Sequence, residues 1–312
     1  MSNKLPRCFT RVFFWPLYTA LLLAQTLNAH ALDTSAQHIR HQMGGWSGDI
    51  QLYQAGLLNL LLKVSEPEFG PYTLELDSRL LTGSRWVKAM SNGALHTSFR
   101  AGAPSLGEDT GAMHWYRQPF LKSMLGLRRL LVRREDLDKF ASVKSLEDLK
   151  QLSIGQGDSW PDRFVYNSAG VTVVEGKSIE HLIRMLDKKR FDFLALSVLE
   201  IEGVFTEYLT LYPDLVLVDD LYIYYPIPVY LTVSKMKPYV VARLRAGMKI
   251  LFEQDSGKRL DDIFHQYFPL ESRVLVTPRT RLISLQNPKL SAELAAGIDE
   301  YFYSRIWHHP KH

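Results

Sequence analysis

The sequence predicts an α/β protein built as two lobes with a hinge of two crossing strands and a cleft between them. Three observations carry that expectation. Strand-like and helix-like patterns alternate along most of the chain, which calls for largely parallel sheets covered by helices on both sides. Of the 312 residues, 281 remain after a 31-residue leader, a length suited to about two domains. The last long helical patterns have no strands of their own to cover, so they are expected to pack back on the first unit. That return makes the first lobe discontinuous and carries the chain between lobes twice.

The elements follow in order. Residues 37–41 read as a short strand, followed by the loop Gly44-Gly45-Trp46-Ser47-Gly48. Residues 51–64 place Tyr53, Leu57, Leu60 and Leu61 on one helical face. In residues 72–77, Thr73, Glu75 and Asp77 alternate with Leu74 and Leu76, as in a strand. A short helix over 82–91 is closed by Asn92-Gly93, and 94–100 returns as a strand. The second unit opens with a strand over 127–134 and a helix whose Ser145 and Asp148 form a capping box, with Asp in place of the usual Glu or Gln. Strand 152–155, a helix from Pro161, strand 171–175, helix 178–187 and strand 191–196 complete the alternation. Strands over 215–224 and 229–234 lead to helices over 238–254 and 257–267. The expected division is lobe 1 from residues 32–126 plus 227–312, and lobe 2 from 127–226, with crossings near Leu127 and Pro226.

Residues 1–31 read as a cleaved export signal. Lys4, Arg7 and Arg11 precede an apolar stretch over 12–27, and Ala29-His30-Ala31 supplies the small-x-small site. A permanent anchor is disfavoured because Pro16 interrupts the stretch, and Gln25, Thr26 and Asn28 end it short of a full span. Removing the leader lowers the net charge from +4 to +1, which leaves no electrostatic footprint for a nucleic acid. Arg128, Arg129, Arg133 and Arg134 flank an apolar run and read as the solvated ends of a strand. The single cysteine, Cys8, lies inside the leader, so the exported chain has neither a disulfide nor thiol chemistry. The apolar run over 215–233 contains Asp219, Asp220, Pro226 and Pro228, and reads as two strands rather than a membrane span.

Several segments, in order and spacing, resemble the periplasmic solute-binding proteins related to the polar amino-acid binders of ABC importers. They are residues 126–133 (GLRRLLVR), 145–149 (SLEDL), 154–162 (IGQGDSWPD), 190–193 (RFDF) and 225–230 (YPIPVY). The resemblance covers about residues 51–268 and implies a two-lobed periplasmic-binding-protein-like fold of type II, a small-molecule ligand in the cleft, and an inner-membrane permease or sensor as partner. It also implies a monomer in the periplasm. Two departures bear on the ligand. The family places an arginine after the third strand to pair with a ligand carboxylate, and residues 101–109 contain none. It also places an aspartate at the end of the strand equivalent to 191–196, where this chain has Ser197. The resemblance therefore implies the fold and a binding role, with a ligand other than a standard amino acid.

The candidate contacts are Trp46, Arg100, Gln156, Ser159, Trp160, Ser197 and Glu200. The turn 155–161 runs from a strand into a helix with Pro161 at its start, and free N–H groups there suit an anionic or strongly polar group. Ser159 is a cap or a ligand contact, and Trp160 a stacking surface or a packing residue. Arg100 stands just before the position of the missing arginine, Trp46 offers an aromatic wall or a cover for the core, and Glu200 offers a cation contact one turn beyond Ser197. No P-loop, G-x-S-x-G or H-E-x-x-H pattern is present, and no catalytic residue, cofactor or metal is expected. His308, His309 and His312 form only a short tail, and His38 and His41 are poorly spaced on a strand for a shared ion. Beside solute binding, two other readings stay open: an orphan periplasmic adaptor for a membrane sensor, and a dehydratase-like enzyme on the same fold with Glu200 as its acid or base.

Overall fold

The computed structural model describes residues 36–81, 83–102, 111–118, 120–269, 274 and 276–307; the expected leader and the C-terminal histidines lie outside them. In chain order the elements are β1 (Gln37–Gln42), α1 (Gly48–Val64), α2 (Glu66–Phe69), β2 (Tyr72–Asp77), α3 (Gly83–Ser91), β3 (Thr97–Ala101) and β4 (Met113–Tyr116). Then come β5 (Leu127–Arg133), α4 (Leu137–Ala141), α5 (Leu146–Leu149), β6 (Ser153–Gly157), α6 (Asp162–Ser168), β7 (Thr172–Gly176), α7 (Ile179–Asp187), β8 (Phe193–Ser197) and α8 (Ile201–Tyr208). The chain continues through β9 (Leu215–Tyr224), β10 (Val229–Ser234), α9 (Pro238–Lys249), α10 (Lys258–Tyr267), β11 (Arg281–Ser284) and α11 (Ala292–Arg305).

Two sheets form two lobes. The first has the order β2-β1-β3-β10-β4, and the second β11-β9-β5-β8-β6-β7. In the first, β1 pairs in parallel with β2 and β3, while β10 runs antiparallel between β3 and β4. In the second, β6 pairs in parallel with β7 and β8, and β5 runs antiparallel to both β8 and β9. These registers put Gln42, Asp77 and Ala101 at the carboxyl ends of the first sheet, beside the start of β10 at Val229. Gly157, Gly176, Ser197 and Tyr224 end the second sheet beside the start of β5. The carboxyl ends of both sheets thus converge on the crossing segments, as open α/β sheets require of a ligand crevice.

Local chemistry accounts for the helices. Ser145 caps α5 in a full capping box with Asp148, and Ser178 caps α7 by accepting from the His181 amide. Helix α1 starts three residues earlier than its apolar periodicity indicates. Ser47 is extended there, and Asp49 sits in the first turn, where a negative charge suits the helix dipole. Its far end is satisfied from elsewhere: the fully buried Arg243 of α9 donates to the carbonyls of Leu62 and Gly70. Tyr53 of α1 packs against Phe264 and Phe268, which fixes α10 on the first lobe.

Two expectations are corrected. The basic group of β5 is not a set of solvated ends. Arg128 and Arg133 are buried, and Arg133 donates to the carbonyls of Leu186 and Phe191 at 2.7 and 2.8 Å. Its guanidinium thus caps two buried carbonyls, and Nη2 pairs with Asp136 at 2.5 Å. Nor does the whole of 227–312 return to the first lobe. Helices α9 and α10 do pack on α1, but β11 pairs in parallel with the outer edge of β9, from Arg281↔Leu221 to Ser284↔Tyr224. An open strand edge is a template for pairing, and the tail covers this one.

The crossing segments approach closely. Tyr225 donates its amide to the Gly126 carbonyl, and a Cβ at Gly126 would lie 1.9 Å from the Tyr225 carbonyl oxygen. Lys122 and Ser123, just upstream, both hold left-handed backbone, with φ of 48° and 59°. Because the clashing partner is main chain and cannot rotate away, Gly126→Ala is expected to spread the two crossings and cost about 1–3 kcal/mol. Thermal denaturation checks it: an unchanged melting temperature would show that the crossings part without cost.

Candidate functional site

At the convergence of the sheet ends lies a buried polar cluster centred on Arg128. The register Arg128↔Ser197 brings the start of β5 beside the end of β8, and α6 and the crossing residue Tyr225 cover it. Asp162, in the first turn of α6, accepts from the Arg128 guanidinium and from the Tyr225 hydroxyl. The guanidinium also lies over the Tyr225 ring at 5.1 Å, and Tyr225 meets Tyr166 edge-on at 5.7 Å. Glu200 is the second carboxylate, with Oε1 3.7 Å from Arg128 Nη1 and 3.3 Å from the Ser197 amide nitrogen, which donates to it.

Burial and charge act against each other here. Burial works against the charge on Arg128, yet Asp162, Tyr225 and Glu200 together hold its guanidinium above its ordinary value. Burial raises the Glu200 carboxyl, against the pull of Arg128 and the Ser197 amide. The Tyr225 hydroxyl is pushed well up by the same desolvation. The cluster therefore has one cation between two carboxylates: Asp162, whose Oδ1 accepts from both Arg128 and Tyr225, and Glu200, which lies farther from the guanidinium at 3.7 Å and meets the Ser197 amide and Ser47. Glu200 is the carboxylate of the cluster that stands beside the first lobe, next to Ser47.

Lobe 1 reaches this corner through the loop after β1. Ser47 stands beside Glu200, and a Cβ at Gly203 of α8 would lie 3.7 Å from the Asp49 carboxylate. The two lobes thus touch across the start of α1 and the start of α8.

The candidates from sequence separate into three groups. Ser197 and Glu200 belong to the cluster, although the Ser197 hydroxyl is spent locally, donating to the Met124 carbonyl at 3.1 Å and accepting from the Leu199 amide. Gln156 is buried on β6, and neither of its amide atoms has a partner among the described residues. Arg100 and Trp160 lie in packing positions. The Arg100 guanidinium sits over the buried Trp86 ring at 4.5 Å. The Trp160 indole covers Gly157, where a Cβ would come within 2.6 Å of the ring, and it borders the cluster of Leu131, Leu194 and Leu196. Trp46 is half-buried against the main core, and Ser159 is exposed. Arg128, Asp162 and Tyr225 are the residues that sequence reasoning missed. The signal was faint: an arginine at the second position of a strand and an aspartate directly after Pro161.

No family profile matches the chain, and the search of curated proteins returned no match. The likeness is to solved structures. The ancestral amino-acid-binding protein AncCDT-1, a precursor of cyclohexadienyl dehydratase, matches with a TM-score of 0.50 at 15% identity, covering 74% of this chain and 96% of that one. The VFT2 domain of Bordetella pertussis BvgS matches with a TM-score of 0.50 at 12% identity, covering 74% and 93% respectively. The chain has the two-lobed periplasmic-binding-protein-like fold. At such identities the likeness extends to the fold alone. In this chain the Arg128 cluster and the Ser47 loop meet between the two lobes. Among the described residues, no helix of the periplasmic-binding-protein-like fold is long and apolar enough to cross a membrane.

Proposed function

We propose that this chain is a periplasmic solute-binding protein that captures a small polar solute between its lobes, for transport or sensing, and is not an enzyme. The observation that carries the reading is the convergence of both sheets' carboxyl ends on a buried polar corner where Glu200 of the second lobe stands beside Ser47 of the first. Ligand contacts would come from Trp46 and Ser47 of lobe 1, and from Ser159 and Glu200 of lobe 2. Arg128, already paired with Asp162, would hold Glu200 in place rather than meet a ligand carboxylate. That assignment accords with a ligand other than a standard amino acid. Residues 1–31 would be removed on export, and a permease or a membrane sensor would receive the loaded protein.

A thermal-shift screen of the exported chain against amines, sugars, organic acids and amino acids tests this. A ligand at 100 times its Kd adds about 2.7 kcal/mol to the native state, a shift of several degrees at this size. Glu200→Gln is expected to weaken a cationic hit about tenfold or more by calorimetry. A screen without a single stabilising compound would remove the reading. It would favour the adaptor alternative, which draws support from the contact of the lobes at Asp49 and Gly203 and from the internal neutralisation of Arg128.

A further inference from the structure

We propose that residues 281–307 form a strap that ties the two lobes together at the hinge and restrains the angle between them. The proposal goes beyond solute binding and does not depend on it. Two sets of contacts place one continuous segment on the second lobe and on the crossing segment, and a shared cavity sets it beside the first lobe.

The grip on the second lobe is extensive. Strand β11 extends the sheet at β9, and the Arg281 guanidinium donates to the carbonyls of Phe140, Ala141 and Val143 while pairing with Asp220 at 2.7 Å. Phe302 of α11, fully buried, stacks on Tyr224 with centroids 3.7 Å apart and planes 8° from parallel. Trp307 then closes over Tyr222 at 5.6 Å.

The second set falls on the hinge. The Leu285 amide donates to the Tyr224 carbonyl at 2.7 Å, and the Asn287 side-chain amide donates to the Pro226 carbonyl at 3.0 Å. These two bonds bracket Tyr225, the residue at which β9 leaves its sheet. On the first-lobe side, Leu294 and Ile298 of α11 line, together with Leu121, Val229 and Tyr230, a cavity of about 80 Å³.

Rotation of the lobes about residues 225–228 has to turn the Pro226 carbonyl and carry Val229 and Tyr230 past α11. Because β11 and the Phe302 stack fix α11 to the second lobe, it cannot follow the first. The strap therefore opposes rotation in either sense, and the under-filled seam beside Leu294 and Ile298 is where that restraint is weakest.

Residues 32–312 contain no cysteine, so in a protein of that span a pair of spin labels at the exposed positions Lys88→Cys and Glu180→Cys, one per lobe, reads the angle without background. Pulsed dipolar spectroscopy is made on the ligand-free protein, so its outcome is separate from that of the solute screen. The parent is expected to give one narrow distance. Asn287→Ala, and the pair Leu294→Ala with Ile298→Ala, are expected to broaden it or add a second component of at least several-fold greater population. Ile298→Phe, which fills the seam, is expected to keep it narrow. Unchanged distributions in both loosening variants, with native circular dichroism and cooperative melting, would overturn the strap. Phe302→Ala serves as a further variant if it folds, and the same broadening is expected there.

Discussion

Asp162→Ala is expected to cost about 3–5 kcal/mol, the largest effect of any single substitution in the cluster. The change removes the carboxylate that Arg128 and the Tyr225 hydroxyl both use. A buried charge without its partner is far more costly than the pair was favourable. Glu200 softens the loss only in part, since its oxygen lies 3.7 Å from Arg128 Nη1. Urea denaturation at pH 7 measures the effect. Combining Asp162→Leu with Arg128→Met removes both charges and is expected to recover at least about 2 kcal/mol of the loss, because no ion is then left stranded. A single-variant loss below about 1 kcal/mol would mean that water reaches Arg128 and that the cluster is not a desolvated ion pair.

Acid is expected to destabilise the protein well above the range in which carboxylates titrate. His41 is fully buried, its Nδ1 is 2.8 Å from the Thr97 hydroxyl, and burial lowers its pKa to about 3. His96 accepts the Arg40 amide at Nδ1, and burial, assisted by Lys237, His38 and Arg40, lowers it to about 4. Both stay neutral in the fold, while in the unfolded chain they take up protons near pH 6.5. The unfolded state therefore binds more protons between pH 6.5 and about 4, so stability is complete above pH 6.5 and falls as pH drops through that window. From pH 7 to pH 5 the expected loss is about 2 kcal/mol per histidine, roughly 4 kcal/mol together. Denaturation midpoints at the two pH values check it, and His96→Asn should remove about half of the dependence. A flat profile would show that the unfolded chain binds no extra protons.

What could be read from the chain was local. The Ser145 and Asp148 capping box and the strand-helix alternation of the second lobe depend on neighbours a few residues apart, and the structure shows both; the turn expected over residues 155–161 begins later, because the strand runs on to Gly157. Strand β4, four residues long and without polar alternation, gave no period to detect, and β11 is equally short. The misreading of Arg128 has the same physical origin. Its partner Asp162 is 34 residues away and Glu200 is 72 away, and nothing in a window around β5 reports a charge supplied by tertiary packing. Trp160 shows the converse. Its place in the turn was legible, while its use as a lid over Gly157 depends on the absence of a side chain across the turn.

The strand order of the first sheet also constrains how the molecule comes to exist. Strand β10 lies between β3 and β4, so β4 has no neighbour, and β3 only β1 on its other side, until the chain has emerged as far as Ser234. Five strands of the other sheet, β5 to β9, lie between β4 and β10 in the chain and can assemble first as an uninterrupted unit. During synthesis from the amino terminus the first lobe therefore waits, with the edge of β3 bare and α1 lacking α9 and α10 to cover it. Such late, long-range pairing is slow and exposes apolar surface meanwhile. A folding assistant that shields the first hundred residues until the last third of the chain arrives would act on the step at which this topology is most prone to aggregate.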